Sequence, residues 1–460
     1  MKKNITKIIS AFLVLLLCGS FFTSCVRQNN KLPDIDADGD EINFRGAKLR
    51  IYAHDWIIHT FSTSMSYDIN ATLERRKNHL KKLENDFNLV IDPHEATPAM
   101  VIGDMMNGSR TADLIYMYPD YLYDIYSAGA LMPYEDIPDI DYFGGNFGPE
   151  KLLKQTLFGD KHYGIFPYLW ETAPGLVGLV LINDGLISEI NGMQNPREII
   201  EAGDWTWEAF RRACKQGTYS DDEGDHYGFG IADHGDCPAH DMLSFVCIFS
   251  NGGNPVVCEN GRYRSGLSDT NVTEALEYAA SLYKDGVILY GISGLSYMAW
   301  STGQHPLYLA KSFEIEKNDD TIKDYGMIPF PQGPSANENS VGSYYYNTDH
   351  FAAVCVGTVY SEDELAVIIN RLFDTFENTP YPEGWKTYEL ENNYMHEEDF
   401  HAYVHALENA EYYNTRIFRN ISEQITQAFA SVITKGVSPQ IAVNSFSDAF
   451  QSSIDKYYDQ

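Results

Sequence analysis

Leu49-Arg-Ile-Tyr-Ala53, Leu89-Val-Ile91 and Asp113-Leu-Ile-Tyr-Met117 are short apolar runs along one stretch of chain, and Leu73, Leu80, Leu83 and Phe87 stand between the first two at helical intervals. Short runs rich in β-branched and aromatic residues read as strands, and apolar residues recurring every three to four positions read as one face of a helix. Strands alternating with helices predict an α/β body with a largely parallel sheet. Beyond Met117, Tyr121 to Ala128 reads as a short helix closed by Gly129, followed by a turn at Leu131-Met-Pro-Tyr-Glu135. Gly159-Asp-Lys-His-Tyr-Gly164 reads as a hairpin, and Ile165 to Trp170 leads into the apolar run Gly178 to Ile182, where a second lobe is expected to begin. A helix is predicted from Thr206 as N-cap to Gly217, and another over Asp269 to Lys284, with Val272, Leu276, Ala279, Ala280 and Tyr283 on its inner face and Gly286 as its stop. Asp324 to Pro334 reads as a strand running into a loop. After a further strand at Phe351, residues 362–460 read as mainly helical, interrupted at Lys435-Gly-Val-Ser-Pro439.

Toward the N-terminus, Met1-Lys-Lys, a short apolar run from Ile8 to Leu17 and the small residues before Cys25 form a secretory signal over residues 1–24, too short for an ordinary transmembrane helix. Phe22-Thr-Ser-Cys25 resembles a bacterial lipobox, in which Cys25 becomes a lipidated first residue anchored in the cell membrane. Residues 25–45, with Asp34, Asp36, Asp38, Asp40 and Glu41, read as a flexible acidic tether. Their spacing imitates a calcium loop, but counting from Asp34 the position that needs a bidentate glutamate is Arg45, which opposes the ion. The chain has 460 residues, 33 Lys and Arg against 65 Asp and Glu, a net charge of −32 and a 44% hydrophobic composition. It is long and apolar enough for a sizeable core in two or three folding units, and too acidic to make nucleic acid an expected partner. Beyond Cys18 and Cys25 the remaining cysteines are Cys214, Cys237, Cys247, Cys258 and Cys355, an odd set without a CxxC pair. They read mostly as small buried apolar residues, not as a disulfide framework.

Several phrases occur in a familiar order: Asp113 to Met117 with Asp120 and Ala128-Gly-Ala-Leu-Met-Pro133; Gly164-Ile-Phe-Pro167; Gly178 to Asp184; Trp205-Thr-Trp-Glu208; Ser250-Asn-Gly-Gly-Asn254; Leu282 to Gly286; Tyr325-Gly-Met-Ile-Pro-Phe-Pro331; and Gly436-Val-Ser-Pro439. From Lys48 to Tyr457 the chain resembles the extracellular solute-binding proteins of ABC importers, in the branch that includes the maltose-binding proteins. The resemblance implies a two-lobed periplasmic-binding-protein-like α/β fold with three inter-lobe crossings and a helical C-terminal part. It places the first lobe at 46–168 plus 302–352 and the second at 169–301 plus 353–460. It also implies a carbohydrate ligand held in the cleft, an ABC permease as partner, a monomer, and neither enzymatic activity nor a cofactor.

A sugar cleft needs flat rings for the CH-rich sugar faces and carboxylates or amides for the hydroxyls. The candidates are Asp55 and Trp56 after the first strand, Tyr118 and Asp120 after the third, and Trp170 and Glu171 at the first crossing. His240 and Asp241, Trp300, Tyr344, Tyr413 and Arg416 complete the set, with a solvated helix start as the competing reading of His240 and Asp241. Asp120 could instead cap the helix from Tyr121. Trp205 and Trp207, at a helix start, read as core. HExxH, GxSxG, Walker and GxGxxG motifs are absent from the sequence, and adjacent acids such as Glu397-Glu398 read as solvated charge. His234, Cys237 and His240 have ligand types at three-residue spacing and His401 with His405 could share a helix face, but neither group has the four ligands of a closed zinc site. A secreted carbohydrate-active hydrolase and a surface adhesin are the alternatives.

Overall fold

The computed structural model describes residues 42–62, 71–109, 112–143, 147–167, 175–222, 224–232, 238–260, 262–291, 295–312, 322, 324–345, 350–374, 396–412 and 419–458. By its contacts the chain divides into Met1–Phe44 and Arg45–Gln460, and the architecture below is that of the second unit. The signal-like stretch, Cys25 and the acids from Asp34 to Glu41 lie outside the described residues.

The alternating pattern that opens the body folds as a parallel sheet. Strand β1 (Ala47–Ala53) pairs in parallel with β2 (Leu89–Glu95) and β3 (Leu114–Met117), and a short β4 (Leu131–Met132) follows. The Ala71–Phe87 helix between β1 and β2 buries Leu80, Leu83 and Phe87, three of the four positions read from its spacing. Asp113, fully buried just before β3, fastens this sheet. Its carboxylate accepts from the Arg50 amide at 2.8 Å, the Thr358 hydroxyl at 2.9 Å and the Val359 amide at 3.3 Å. A buried carboxylate persists when its lone pairs are filled this way.

After the hairpin of β5 (Leu157–Phe158) and β6 (Lys161–His162), the chain enters a second sheet at β7 (Leu176–Ile182), every residue of which is buried. Such a run, with no polar alternation, is that of a strand covered on both faces. At Gly178 (φ +101°) a Cβ would stand 2.5 Å from the Gly342 carbonyl oxygen, so only glycine allows the neighbouring segment this close. The rest of the body adds a small hairpin of β8 (Tyr219–Asp221) and β9 (Gly224–His226), then β10 (Phe229–Ala232), a second hairpin of β11 (Val256–Glu259) and β12 (Arg262–Ser265), β13 (Ile288–Gly291), β14 (Leu307–Lys311), β15 (Gly326–Pro329), β16 (Tyr344–Tyr345), β17 (Phe351–Cys355) and β18 (Glu411–Tyr412). The first sheet has the order β2-β1-β3-β17-β4; the second is β13-β10-β14-β7-β16-β18, with β15 also pairing with β7. Thr206 caps the Trp207–Gln216 helix by accepting from the Ala209 amide, and Gly217 ends it, as its sequence predicts.

Among the described residues the elements change from one sheet to the other three times: from Pro167 to Gly175, from Tyr345 to His350, and from the Glu362–Leu372 helix, which packs on Ala71–Phe87, to the Glu397–Asn409 helix, which packs on β15. The expected boundaries of the lobes need correction here. β14, β15 and β16 fall inside 302–352, assigned to the first lobe, yet all three pair with β7 in the second sheet. β17 falls mostly past 352, yet pairs with β3 and β4 in the first. The cause is the exposed-edge demand of β7: its wholly apolar run needs partners on both sides, and β14 and β15 supply them. One predicted helix face also needs correction. On Thr270–Lys284 the buried residues are Val272, Ala275, Leu276, Ala279 and Leu282, and Tyr283 is exposed. Cys214, Cys247 and Cys355 are buried as expected, and burial pushes their thiols well up, so they pack as inert apolar groups. Cys258 is exposed.

Candidate ligand-binding site

In a parallel α/β sheet the loops leaving the carboxyl ends of adjacent strands converge, and ligands sit there. At that end of the first sheet, β1 delivers His54 and β3 delivers Tyr118. The His54 amide bonds the Tyr116 carbonyl at 3.3 Å, which continues the ladder by one residue past β1. β17 runs antiparallel to β3 with Phe351 opposite Met117, a register that sets His350 beside Tyr118. The rings then meet. The His54 imidazole lies 5.6 Å edge-on from the Tyr118 ring and 5.3 Å from that of Tyr121. The His350 ring is 4.5 Å from Tyr118 and 5.2 Å from Tyr116, which in turn sits edge-on to the buried Phe61 at 5.1 Å. Asp120, half-buried, occupies the 3-10 turn Pro119–Tyr121 that follows Tyr118. The N-cap position of the helix from Leu122 is held by Tyr121, without a side-chain cap bond.

Burial, and secondarily the nearby His54, push the His350 imidazole down to about 4, so it is neutral at pH 7. The Nδ1 atom of His54 is shielded from solvent and makes no hydrogen bond. A buried polar atom of this kind is costly unless something approaches it. The cluster thus combines flat rings with an imidazole nitrogen suited to a hydroxyl, and the turn that carries Asp120 leaves directly from it. That set can grip a polar, uncharged solute.

Of the residues selected from sequence, Tyr118 belongs to this cluster and Asp120 stands two residues on, in the turn that follows it. Asp55 and Trp56 begin the 3-10 turn Asp55–Phe61 directly after His54, on the same rim; their side chains lie outside the description. Trp170, Glu171, Tyr413 and Arg416 lie outside the described residues, as do His234 and Cys237. Three selections need correction. Trp300 is 2% exposed and stacks on Tyr308 at 5.8 Å, and Tyr344 is 2% exposed between Phe245 and Phe249; both are interior packing residues of the second sheet. Asp241 is buried, not solvated, and accepts from the Thr426 hydroxyl at 2.6 Å, fastening the Ala239–Ser250 helix to the Arg419–Lys435 helix. His240, half-buried one residue before it, has Nε2 3.6 Å from that carboxylate. His401 is exposed beside Glu397 and is solvated, as expected. Trp207 is core, stacked on Tyr278 at 4.3 Å with its indole N–H donating to the Ser250 hydroxyl at 3.1 Å. Trp205 is half-buried, its indole N–H on the Pro329 carbonyl at 2.9 Å. Sequence reasoning missed His54, Tyr116, Tyr121 and His350. His54 carried a signal, standing first after the β1 run, whereas His350 depends on an antiparallel register that no local pattern announces.

Two sheets, three crossings and ligand-type residues at the carboxyl ends of the first sheet define the two-lobed α/β architecture of periplasmic-binding-protein type. Many solved structures share it. One is the GacH receptor of Streptomyces glaucescens GLA.O, solved unliganded and with acarbose (13% identity over 90% of this chain and 99% of that one, TM-score 0.58). Another is the cyclic alpha-maltosyl-1,6-maltose binding protein from Arthrobacter globiformis (12%, 89% and 100%, TM-score 0.63). A third is UgpB from Mycobacterium tuberculosis in complex with glycerophosphocholine (13%, 89% and 98%, TM-score 0.57). No protein-family model matches the chain, and no curated protein sequence does. Among the described residues no helix is long and apolar enough to cross a membrane.

Proposed function

We propose that this chain is the extracytoplasmic receptor of an ABC importer, capturing a neutral carbohydrate, an oligosaccharide, between its lobes and delivering it unaltered to a permease. The observation that carries this reading is the ring cluster of His54, Tyr118 and His350, with Asp120 in the turn that follows, at the carboxyl ends of β1 and β3. A pyranose has CH-rich faces that stack on such rings and hydroxyls that need an acceptor like Asp120 or an imidazole nitrogen. The same fold holds glycerophosphocholine in one relative, so the rings, rather than the fold, favour a sugar. Closure follows because a solute touching both lobes has more contacts in the closed state than in the open one. Asp55 and Trp56 would contribute from the first lobe, and Trp170, Glu171, His240, Tyr413 and Arg416 from the crossings and the second. Secretion by the 1–24 signal, anchoring through a lipidated Cys25, action as a monomer and the absence of a cofactor belong to this reading.

The test is thermal unfolding of the purified chain against a panel of neutral glycans, with chromatography of the recovered sugar. A saturable rise in melting temperature with a glycan recovered intact is expected. Release of smaller sugars would overturn the reading in favour of a hydrolase. Binding only to cells or polymers, without a shift from any small glycan, would overturn it in favour of an adhesin.

A further inference from the structure

At the far end of the second sheet, three ligand-type side chains from distant parts of the chain converge. Asp184 opens the helix that follows β7, Asp324 precedes β15, and His396 caps the Glu397–Asn409 helix; one ligand atom from each lies within 4.8 Å of the other two. We propose that Asp184, Asp324 and His396 bind a zinc-class divalent cation that pins these three segments together.

Charge, geometry and an orphaned nitrogen point the same way. Asp399 engages Arg197 through both oxygens, at 2.6 and 3.0 Å, and so neutralises it. This pair is held in place: a Cβ at Gly326 would lie 1.8 Å from Arg197 Nη2, and Asp399 also accepts from the Met327 amide at 3.0 Å. What remains is two carboxylates, Asp184 and Asp324, with one imidazole, a net charge that matches a dication. Asp184 does receive the Asn195 amide at 2.9 Å and the Arg197 Nε at 3.3 Å, one bond per oxygen, and each carboxylate oxygen keeps a second lone pair. The Nε2 atom of His396 is shielded from solvent and makes no hydrogen bond, and it stands 3.5 Å from Asp324 Oδ1. That spacing is long for a hydrogen bond. It is close to the separation of about 3.4 Å that two donors have when each is about 2.1 Å from one tetrahedral ion. The donor set of one nitrogen and two carboxylates suits zinc with water completing the shell, better than calcium, which takes oxygen ligands alone. Asp324 is the exposed member and has room to close the remaining distance.

The place is distinct from the ligand site. β14 and β15 run antiparallel to β7, so the carboxyl end of β7 that leads to Asp184 lies at the amino ends of β10, β13 and β14. The cation is therefore a staple for the chain's last return to the second sheet and is independent of which solute the protein carries.

The test uses the full chain, with Cys258 changed to serine to remove an exposed thiol, stripped with chelator, mixed with zinc chloride and gel-filtered before metal analysis. One tightly held zinc per chain is expected, with a rise in melting temperature on zinc addition. Asp324→Asn, nearly isosteric at an exposed position, and His396→Ala should each weaken zinc retention by at least about tenfold, while their metal-free melting temperatures match the parent's. Failure of the parent to retain zinc would overturn the proposal. So would undiminished retention in both variants, which would place the metal elsewhere, as at His234, Cys237 and His240.

Discussion

Replacing His350 by phenylalanine tests the ring cluster through its protonation. The imidazole sits against Tyr116 and Tyr118, and burial followed by repulsion from His54 lowers it from 6.5 to about 4. A histidine lowered in the folded state binds its proton more readily in the unfolded chain, so acid favours unfolding. The resulting stability is present above pH 6.5 and is lost as pH falls toward 4. Full loss amounts to about 3 kcal/mol, and at pH 5 about 2 kcal/mol has already gone relative to pH 7. Phenylalanine keeps a flat ring between the two tyrosines but cannot take up the proton. In urea unfolding followed by fluorescence, the parent should therefore lose about 2 kcal/mol more than His350→Phe between pH 7 and pH 5. His305, lowered by burial in the second sheet, titrates in both proteins and cancels in the difference. Identical pH dependence of parent and variant would refute the reasoning, because it would mean that the imidazole is solvated and not enclosed by the cluster.

Other substitutions separate packing from binding. Asp113→Ala strands the Arg50 amide, the Thr358 hydroxyl and the Val359 amide, and should lower stability by about 3 kcal/mol or more, read as a fall in melting temperature without a change in the affinity of folded protein. Trp300→Ala should cost about 3–5 kcal/mol because the indole is interior, and its effect should appear in the melt and not in the dissociation constant. Tyr118→Ala should do the reverse, weakening glycan binding by about tenfold or more, equivalent to about 1.4 kcal/mol, with a much smaller change in melting temperature. Breaking the buried pair with Arg197→Met leaves Asp399 uncompensated and should destabilise by about 3–5 kcal/mol in chemical unfolding.

Local periodicity told most of the fold. The runs at Leu49, Leu89, Asp113 and Gly178 became strands, and Thr206 with Gly217 bounded the helix between them, because pleat and cap chemistry act over a few residues. The lobe boundaries failed where partner choice is non-local: nothing in Leu307-Tyr-Leu-Ala-Lys311 says that it will flank β7. For the candidate site, the placement of Tyr118 and Asp120 at the carboxyl end of β3 was legible because they follow a recognisable strand directly. Trp300 and Tyr344 misled because an aromatic near a crossing has the same composition whether it faces a cleft or, as here, Tyr308 or Phe245. His350 and the meeting of Asp184, Asp324 and His396 arise from register and from chain returns, which no spacing encodes.

The central claim is that a neutral glycan rests against the rings at the carboxyl ends of β1 and β3. Amide hydrogen exchange of the protein saturated with the glycan that raises its melting temperature, compared with the free protein, addresses this directly. Slowed exchange is predicted at 54–57, 118–122 and 350–352. Unchanged exchange at all three segments, with protection only elsewhere in the chain, would contradict it.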